Sequence, residues 1–330
     1  MIAPLSAPAS STLPLRHLLL GLAVVAVWGT NFVVIKYALA HLPPLALAAL
    51  RFALAAFPAL LFIGRPAASW RNVAAYGLLI GVAQFGLMFI AMTRFVSPGL
   101  ASLVVQVQVF FTIGLAMLLA GERVRVFQVL AMALSVAGMV LIGWHAVTEG
   151  ASVTPLGLVL MLLAALAWAC GNIVSRAAGR VDALGYMVWS SLFAVPPLVA
   201  LSLLLEGWPA IHAGLLSATW GTWVAVLWQS VGNTLFGYGA WAWLLARYPA
   251  ASVTPLALLV PVFGMGASAL WLREPMPGWK IGAALLVLAG LFVWFWFSTP
   301  VRAAQLGAWS GQLRALAVVV GLAAGGALFM

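Results

Sequence analysis

Long apolar segments alternate with short polar or charged stretches along this chain, at intervals of about 25 to 30 residues. A helix needs about 20 apolar residues to cross the roughly 30 Å hydrocarbon layer of a bilayer. The segments are continuously apolar and lack the period-two alternation of strands, so they favour helices. The pattern predicts ten membrane-spanning helices, at 17–36, 45–63, 73–92, 100–119, 127–143, 156–175, 184–205, 220–244, 252–272 and 279–297.

The composition agrees with an all-α integral membrane protein whose main partner is the lipid bilayer. The chain has 330 residues, of which 65% are hydrophobic and 6% charged, whereas soluble domains carry roughly 25% charged residues. The net charge of +10 comes from Lys and Arg residues scattered singly at the ends of the predicted spans. Because nucleic-acid binding requires a basic stripe or patch, we do not expect that partner.

The basic residues also predict the orientation, since cytoplasmic loops are enriched in Lys and Arg. With a cytoplasmic N-terminus, ten basic residues fall on the inside: Arg16, Arg65, Arg71, Arg123, Arg125, Arg176, Arg180, Arg247, Arg302 and Arg314. Only four fall on the outside: Lys36, Arg94, Arg273 and Lys280. This asymmetry favours entry of the first helix from the cytoplasm.

Two pairs of segments indicate an internal repeat. The first and sixth spans share Trp28-Gly-Thr-Asn31 and Trp168-Ala-Cys-Gly-Asn172. The fourth and ninth open with Pro98-Gly-Leu-Ala-Ser102 and Pro249-Ala-Ala-Ser252, and close with Gly121-Glu122-Arg123 and Arg273-Glu274-Pro275. This spacing predicts five helices plus five. Because five is odd, the second copy runs upside down relative to the first, as in the inverted repeats of many secondary transporters.

The repeat divides the chain into four parts. An N-terminal extension (1–16) precedes the first five-helix repeat (17–145), and the second repeat covers 155–298. A tail at 299–330 follows, with an apolar run from Ala315 to Met330. That run is short for a membrane span, so it is either an eleventh helix or a hairpin or surface helix.

Carboxamides within the spans are the first candidates for a binding site, because a polar side chain in hydrocarbon should face the bundle interior or a wet cavity. Seven lie well inside predicted spans: Asn31, Gln84, Gln106, Gln108, Asn172, Gln229 and Asn233. Gln106 and Gln108 lie about 200° apart on an α-helix, which predicts that only one faces a cavity. We select Asn31, Gln84, Gln106 and Asn172. The alternative role for each is interhelical hydrogen bonding.

Deep aromatic residues are candidates for cavity walls, although packing explains such residues equally well. Six lie well inside spans: Trp28, Phe85, Trp168, Trp189, Tyr238 and Trp241. Of these we select Trp28, Trp168, Trp189 and Tyr238 as substrate contacts.

Arg51 is the most informative charged residue, because it lies about six residues into the second span, roughly 9 Å along the helix. If it faces a cavity, it suits a carboxylate or phosphate group. A structural ion pair or snorkelling to the interface is the alternative.

Enzymatic chemistry is not expected. The five acidic residues fall at span ends or in loops, as do His17, His41, His145 and His212. No serine or cysteine nucleophile has a midspan histidine partner. The single cysteine, Cys170, excludes a Cys-based metal cluster. We therefore predict no metal site and no cofactor.

Prolines and glycines predict irregular winding in three spans. Pro255 and Pro261 lie in the ninth span, Pro196-Pro197 in the seventh, and Gly232 and Gly237 in the eighth. Such breaks free backbone groups that can bind a substrate, although a static kink explains them as well.

The motifs together resemble the EamA family of the drug/metabolite transporter superfamily, most closely the branch of bacterial O-acetylserine/cysteine exporters. The segments that carry the resemblance are 27–36, 50–52, 83–85, 100–106, 168–173, 237–239 and 255–262. The resemblance implies that the two repeats are EamA-type and line a central cavity. It further implies a multi-pass exporter of the bacterial inner membrane, with a small polar metabolite as substrate.

These observations give a functional hypothesis: a secondary transporter that exports small amino acids or related metabolites, of the cysteine or O-acetylserine kind, by alternating access. The alternatives are a transporter of another polar metabolite, such as an aromatic amino acid or a nucleotide sugar, and a channel. Fold kinship constrains architecture more tightly than it does the ligand, so these stay open.

Overall fold

A computed structural model describes residues 13–120, 126–148, 152–179, 181–248 and 253–298. Within these ranges the chain is helical, and the only β contact is an isolated bridge between Val96 and Val153. The prediction of an all-helical chain is confirmed for this part. Residues 1–12 of the predicted extension lie outside the described residues, as does the tail 299–330 with its possible eleventh helix.

The first predicted repeat contains α1 (Leu15–Ala38), α2 (Pro44–Ala56), α3 (Trp70–Gly77), α4 (Gly86–Arg94), α5 (Pro98–Val104), α6 (Gln108–Ala120) and α7 (Val126–Thr148). The second contains α8 (Pro155–Ala177), α9 (Ala183–Leu201), α10 (Trp208–Ser217), α11 (Trp220–Leu227), α12 (Gly237–Arg247), α13 (Val260–Trp271) and α14 (Gly278–Ser298).

Five helical stretches are each long and apolar enough to cross a membrane: Leu15–Ala38, Pro44–Leu61, Trp70–Arg94, Pro155–Ala177 and Ala183–Glu206. Four further apolar helices are shorter: Pro98–Thr112, Val129–His145, Val260–Trp271 and Gly278–Val293. This pattern is consistent with a multi-pass membrane protein. The ten-helix inverted arrangement stays a prediction.

Polar residues and prolines define where several helices begin. The side chain of Thr154 accepts a hydrogen bond from the Gly157 amide at 3.0 Å, ahead of α8, and that of Asp182 accepts one from the Gly185 amide at 2.6 Å, ahead of α9. Prolines occupy the first turns of α2, α5 and α8, where the missing amide hydrogen would have no partner in any case. The polar punctuation of the sequence thus marks real helix starts.

Irregular winding recurs at matching places in the two predicted repeats. A π-helical segment, Leu78–Phe85, joins α3 to α4, and another, Trp228–Phe236, joins α11 to α12. A tight 3₁₀ turn, Val105–Val107, separates α5 from α6, and Thr254–Leu259 forms a longer one before α13. The third and eighth predicted spans therefore share one irregularity and the fourth and ninth share another. The irregular winding expected in the eighth and ninth spans is confirmed.

Two features of the second half differ from expectation. Helix α9 continues through Pro196 and Pro197 without a break, so an interruption at these prolines is wrong, although a π-helical segment, Ser202–Glu206, follows α9 in the same span. A helix that the hydrophobic pattern missed, α10, follows Gly207, whose φ of 79° ends the preceding helix. With ten residues, α10 is too short to cross a membrane, and it meets the next helical stretch at 106°.

The two halves of the chain pack against each other through several helix pairs. Helix α1 lies against α13, α2 against α9, α6 against α8, and α7 against α14. The α1–α13 contact depends on Gly29, where a Cβ atom would come within 2.6 Å of the Val260 carbonyl oxygen. Because every one of these pairs joins one half to the other, a space between the halves can be lined by both.

Candidate functional site

A cavity of about 290 Å³ lies between the two halves of the chain. Its lining comes from predicted spans 1, 3 and 4 and from their repeat counterparts 6, 8 and 9. Six carboxamide residues take part: Asn31, Gln84, Gln106, Gln108, Asn172 and Asn233. The remainder of the lining is aromatic or aliphatic: Trp28, Phe32, Ile35, Tyr76, Phe85, Met88, Val105, Trp168, Tyr238, Trp241, Ala257 and Val260.

Two of the lining amides are incompletely hydrogen-bonded. Asn31 on α1 and Gln84 in the first π-helical segment are 3% and 2% exposed. The side-chain oxygens Asn31 Oδ1 and Gln84 Oε1 are buried and have no hydrogen-bond partner within the described structure. An unpaired buried acceptor is costly to keep, and each such group calls for an explanation. A ligand or an ordered water in the adjacent cavity would supply the missing donors.

Two other lining amides, Gln108 and Asn172, are hydrogen-bonded to each other. Asn172 Nδ2 on α8 donates to Gln108 Oε1 at 2.9 Å and to Thr112 Oγ1 at 3.0 Å. Thr112 in turn donates to the Gln108 carbonyl oxygen at 2.7 Å. This cluster, Gln108–Thr112–Asn172, ties α6 to α8 at the cavity wall. Asn172 is therefore both a lining residue and an interhelical link.

Gln106 and Gln108 both line the cavity, so the expectation that only one of them could do so is wrong. The 200° separation assumed a continuous α-helix, whereas Gln106 lies in the 3₁₀ turn between α5 and α6. Gln106 Nε2 donates to the Ala257 carbonyl oxygen at 3.2 Å, which belongs to the other irregular turn, Thr254–Leu259. Broken winding on both sides therefore supplies a backbone acceptor to a cavity amide.

Aromatic rings form one wall of the cavity. The Trp28 ring lies 5.6 Å from Tyr238 and 5.1 Å from Trp241, measured between ring centroids. Trp28 Nε1 donates to the Asn233 carbonyl oxygen at 3.3 Å. Gly237 makes this close approach possible, since a Cβ atom there would collide with the Trp28 indole. Trp168 on α8 is also part of the lining.

Two of the residues selected from the sequence lie outside the cavity lining. The Trp189 ring on α9 packs at a tilt against Trp70, with ring centroids 5.6 Å apart, and its Nε1 donates to the carbonyl oxygens of Ile63 and Gly64, both at 3.1 Å. Arg51 on α2 is fully buried behind the Phe85 ring. Arg51 belongs to predicted span 2 and Trp189 to span 7, and neither span contributes a residue to the lining. The other seven, Trp28, Asn31, Gln84, Gln106, Trp168, Asn172 and Tyr238, are brought together.

Sequence reasoning also passed over residues that the structure places in the lining. Asn233, Phe85 and Trp241 are among the deep polar and aromatic candidates but not among the residues selected from the sequence. Tyr76 is not a candidate in the sequence, because it lies near the start of its span. Its ring is buried and packs at 4.7 Å on Tyr186.

An ion pair connects several helices at one end of the bundle. Glu274, after α13, accepts hydrogen bonds from Ser97 Oγ and, at 3.0 Å, from the Gly99 amide at the start of α5. Lys280 Nζ on α14 donates to Glu274 Oε1 at 2.9 Å and to Ser152 Oγ at 3.2 Å. Lys280 is 0% exposed and Glu274 8%. We call Ser97, Gly99, Ser152, Glu274 and Lys280 the Glu274 cluster.

Helix packing differs on the two sides of the 3₁₀ turn Val105–Val107. Before the turn, α5 packs along α13, where Gly264 leaves room for Ser102; a Cβ atom at Gly264 would overlap Ser102 Oγ. After the turn, α6 packs on α8 instead. The fourth predicted span therefore joins the ninth at the end with the Glu274 cluster and the sixth beyond the cavity.

The described lining residues offer hydrogen-bond donors and acceptors beside aromatic surface, and none of them is charged. Carboxamides both donate and accept hydrogen bonds, so the cavity suits a small polar solute. Its volume is near the lower end of the roughly 300–1,000 Å³ range of ligand pockets.

The model of the EamA-like transporter family matches residues 15–144 and again 155–296. The chain belongs to this family. As a member of the EamA-like transporter family it is a multi-pass membrane transporter and not an enzyme. The cavity thus lies between two copies of the same family unit.

Two curated relatives of this EamA-like transporter carry the name "Probable amino-acid metabolite efflux pump". The protein of Salmonella typhimurium is 41% identical over 83% of this chain and 93% of its own length. The Escherichia coli protein is 40% identical over the same shares. A solved crystal structure matches 88% of this chain and 98% of its own with a TM-score of 0.59 at 19% identity, which shows a shared fold.

Proposed function

We propose that this transporter exports small amino acids or related metabolites, of the cysteine or O-acetylserine kind, across the bacterial inner membrane by alternating access. The observation that carries the proposal is the pair of unpartnered amide oxygens, on Asn31 and Gln84, in residues that line the central cavity. The ammonium group of an amino acid can donate hydrogen bonds to these oxygens. The two relatives named as amino-acid metabolite efflux pumps support the same substrate class.

The size and walls of the cavity favour this substrate class over larger ones. A volume of about 290 Å³ suits a single amino acid better than a nucleotide sugar. The wall formed by Trp28, Tyr238 and Trp241 makes an aromatic amino acid the second candidate, because rings of a ligand and a site can stack. Competition between the two kinds of amino acid distinguishes these candidates.

The packing around the cavity supports alternating access. The Glu274 cluster binds the start of α5 to the segment after α13, whereas beyond the cavity α6 turns to α8. In an inverted repeat, the two halves can exchange these arrangements, which closes one end as the other opens. The end with the Glu274 cluster is then the closed one in this conformation.

The orientation completes the proposal. By the positive-inside rule the N-terminus is cytoplasmic, and Arg273 and Lys280 then lie on the outer side with the Glu274 cluster. The cavity would be closed toward the outside and loaded from the cytoplasm, as an exporter requires. Cysteines placed at Arg65 and Arg94 should then react with impermeant reagents from opposite sides of the membrane; labelling from the same side would contradict this orientation.

Transport by reconstituted protein tests the substrate. Vesicles that contain the purified transporter should take up labelled cysteine or O-acetylserine faster than protein-free vesicles, and the rate should saturate with concentration. Unlabelled phenylalanine or tryptophan in tenfold excess should compete weakly. Strong competition would favour the aromatic candidate, uptake equal to that of protein-free vesicles would refute the proposal, and unsaturable uptake would indicate a channel.

A further inference from the structure

We propose that Arg51 forms a covered subsite for the carboxylate of the substrate, and that the Phe85 ring is the movable cover between this subsite and the cavity. The inference rests on the proposed function and extends it from the amide side chains in the lining to a charged group behind them. It names the chemical class that the site selects: solutes that carry a carboxylate.

The geometry places the guanidinium directly behind the cavity wall. The Arg51 Cζ atom lies 3.8 Å from the centroid of the Phe85 ring, and Phe85 is itself a lining residue. Arg51 Nη2 donates to Thr234 Oγ1 at 3.3 Å, and the neighbouring Asn233 also lines the cavity. One aromatic ring therefore separates a full positive charge from the space where the substrate would lie.

Arg51 lacks the partner that its burial requires. The residue is 0% exposed, and Nε and Nη1 have no hydrogen-bond partner among the described residues. In the described part of the chain, the carboxylates of Asp182, Glu206 and Glu274 are bound at helix termini, and none forms an ion pair with Arg51. A buried cation is normally paired with an anion, and an aromatic face replaces only part of that stabilisation. The buried guanidinium group of Arg51 therefore lacks an anionic partner.

The polar surroundings extend the same pattern. Thr234 Oγ1 donates to the Gln229 carbonyl oxygen at 2.9 Å. The Gln229 side chain is also 0% exposed, and both of its amide atoms lack partners. Three of these unpartnered atoms are donors, Arg51 Nε, Arg51 Nη1 and Gln229 Nε2, and one is an acceptor, Gln229 Oε1. A carboxylate, which only accepts hydrogen bonds, is the group that such donors suit.

Phe85 is placed where a ring can change position. It is the last residue of the π-helical segment Leu78–Phe85, and Gly86 follows it. Wide helical turns of this kind are frequent at functional sites. Moving the extra residue of the wide turn past Phe85 would rotate the ring by about 100° around the helix axis, away from Arg51. The guanidinium would then face the cavity.

A binding measurement on purified full-length protein tests the subsite without relying on transport. The probes are propionate and propionamide, which share a shape but differ in charge. For wild type, propionate should raise the thermal unfolding midpoint at a concentration at least tenfold below that needed for propionamide. Arg51→Met should abolish this preference, because it keeps an unbranched apolar stem and removes the charged guanidinium group. Equal stabilisation of wild type by the two probes would overturn the proposal.

The matched control is Arg65→Met. Arg65 also lies over an aromatic ring, that of Trp70 at 4.1 Å, but it is exposed and is not among the lining residues. Its substitution should leave the preference intact. Should Arg51→Met fail to fold, Phe85→Ala decides: without its cover, Arg51 should keep or strengthen the preference for propionate. Loss of the preference in Phe85→Ala, or its persistence in a folded Arg51→Met, would contradict a carboxylate subsite.

Transport separates this inference from the proposed function. In vesicles, O-acetylserine should inhibit its own labelled uptake at least tenfold more strongly than its carboxamide does, and Arg51→Met should reduce that ratio toward one. A wild-type protein that transports no amino acid would refute the proposed function alone, because the propionate measurement still decides the subsite.

Discussion

The Glu274 cluster and the central cavity are both polar regions within an apolar bundle, but they handle their polar groups in opposite ways. In the cluster, the Glu274 carboxylate receives hydrogen bonds from Ser97, Gly99 and Lys280. In the cavity, Asn31 Oδ1 and Gln84 Oε1 have no partner. The first region holds the stronger charges and satisfies them, whereas the second holds neutral amides and leaves some of them open.

This difference separates structure from function. A buried polar network that is fully satisfied stabilises one arrangement, and removing a member exposes the rest to a desolvation penalty. A buried group that is unsatisfied costs folding free energy until something binds it. We therefore expect substitutions in the cluster to lower the free energy of unfolding and substitutions of the open amides to lower transport.

The largest effect on stability is expected for Lys280→Met. This change leaves the nearly buried Glu274 carboxylate without its cation, and breaking a buried ion pair costs about 3 kcal/mol of unfolding free energy. Unfolding in mixed micelles with increasing denaturing detergent measures it. The double variant Glu274→Gln/Lys280→Met should recover at least half of the loss, because no charge is left unpaired. If Lys280→Met is as stable as wild type, the Glu274 cluster does not stabilise the fold and the contrast with the cavity fails.

A steric effect of about 2 kcal/mol is expected for Gly264→Ala, where α5 meets α13 near the cluster. The new methyl group would overlap Ser102, so the helices must separate or distort. Ser102→Gly should restore the space, and Gly264→Ala should then cost little in that background. A double-mutant cycle measures this coupling. Additive effects of the two substitutions would mean that the close contact is not what Gly264 provides.

The hydrophobic pattern predicted the helical class and most of the helices, because membrane spans depend mainly on continuous apolar length. Seven of the nine residues selected from the sequence line one cavity, and their contact with substrate stays a prediction. Those seven lie on spans 1, 3, 4, 6 and 8, where polar residues or repeat motifs point inward. Arg51 and Trp189 lie on spans 2 and 7, which pack behind the cavity, and depth along a helix does not tell which helices face a shared space.

Local winding explains the remaining errors. The rejection of Gln108 assumed ideal α-helical geometry, and the 3₁₀ turn Val105–Val107 that invalidates it has no proline or glycine to mark it. The π-helical segment Leu78–Phe85 likewise changes which residues share a face in the third span. Such turns are settled by tertiary packing, which a single sequence does not display. The opposite error occurs at Pro196 and Pro197, where the sequence predicts irregular winding but α9 continues through both residues.

Asn172→Ala sharpens the comparison inside the cavity, since this amide is satisfied although it is part of the lining. The substitution removes the bonds to Gln108 and Thr112 and should lower the unfolding free energy by about 1 kcal/mol, the size of an interhelical hydrogen bond in a membrane bundle. Thr112→Val removes only one of the two acceptors and should cost less. If both variants are as stable as wild type, the cluster Gln108–Thr112–Asn172 does not hold α6 to α8.

The smallest effect on stability is expected for Asn31→Leu and Gln84→Met, which replace the open amides with apolar groups of similar size. Since no hydrogen bond to Asn31 Oδ1 or Gln84 Oε1 is lost and a buried unpaired acceptor is removed, the unfolding free energy should equal the wild-type value or exceed it by up to about 1 kcal/mol. Uptake of labelled O-acetylserine should nevertheless fall at least tenfold, because the substrate loses an acceptor worth about 1.4 kcal/mol.

The matched control for this pair is Thr30→Val, since Thr30 neighbours Asn31 but bonds only within its own helix, to the Ala26 carbonyl oxygen at 2.7 Å and that of Val27 at 3.4 Å. It also changes a polar residue to an apolar one and should leave uptake unchanged. Two results would reverse the argument. A loss of stability as large as that of Asn172→Ala would mean that the oxygens are bonded in the folded protein. Unchanged uptake would mean that the open amides do not serve the substrate, and the contrast with the Glu274 cluster would then be one of charge alone.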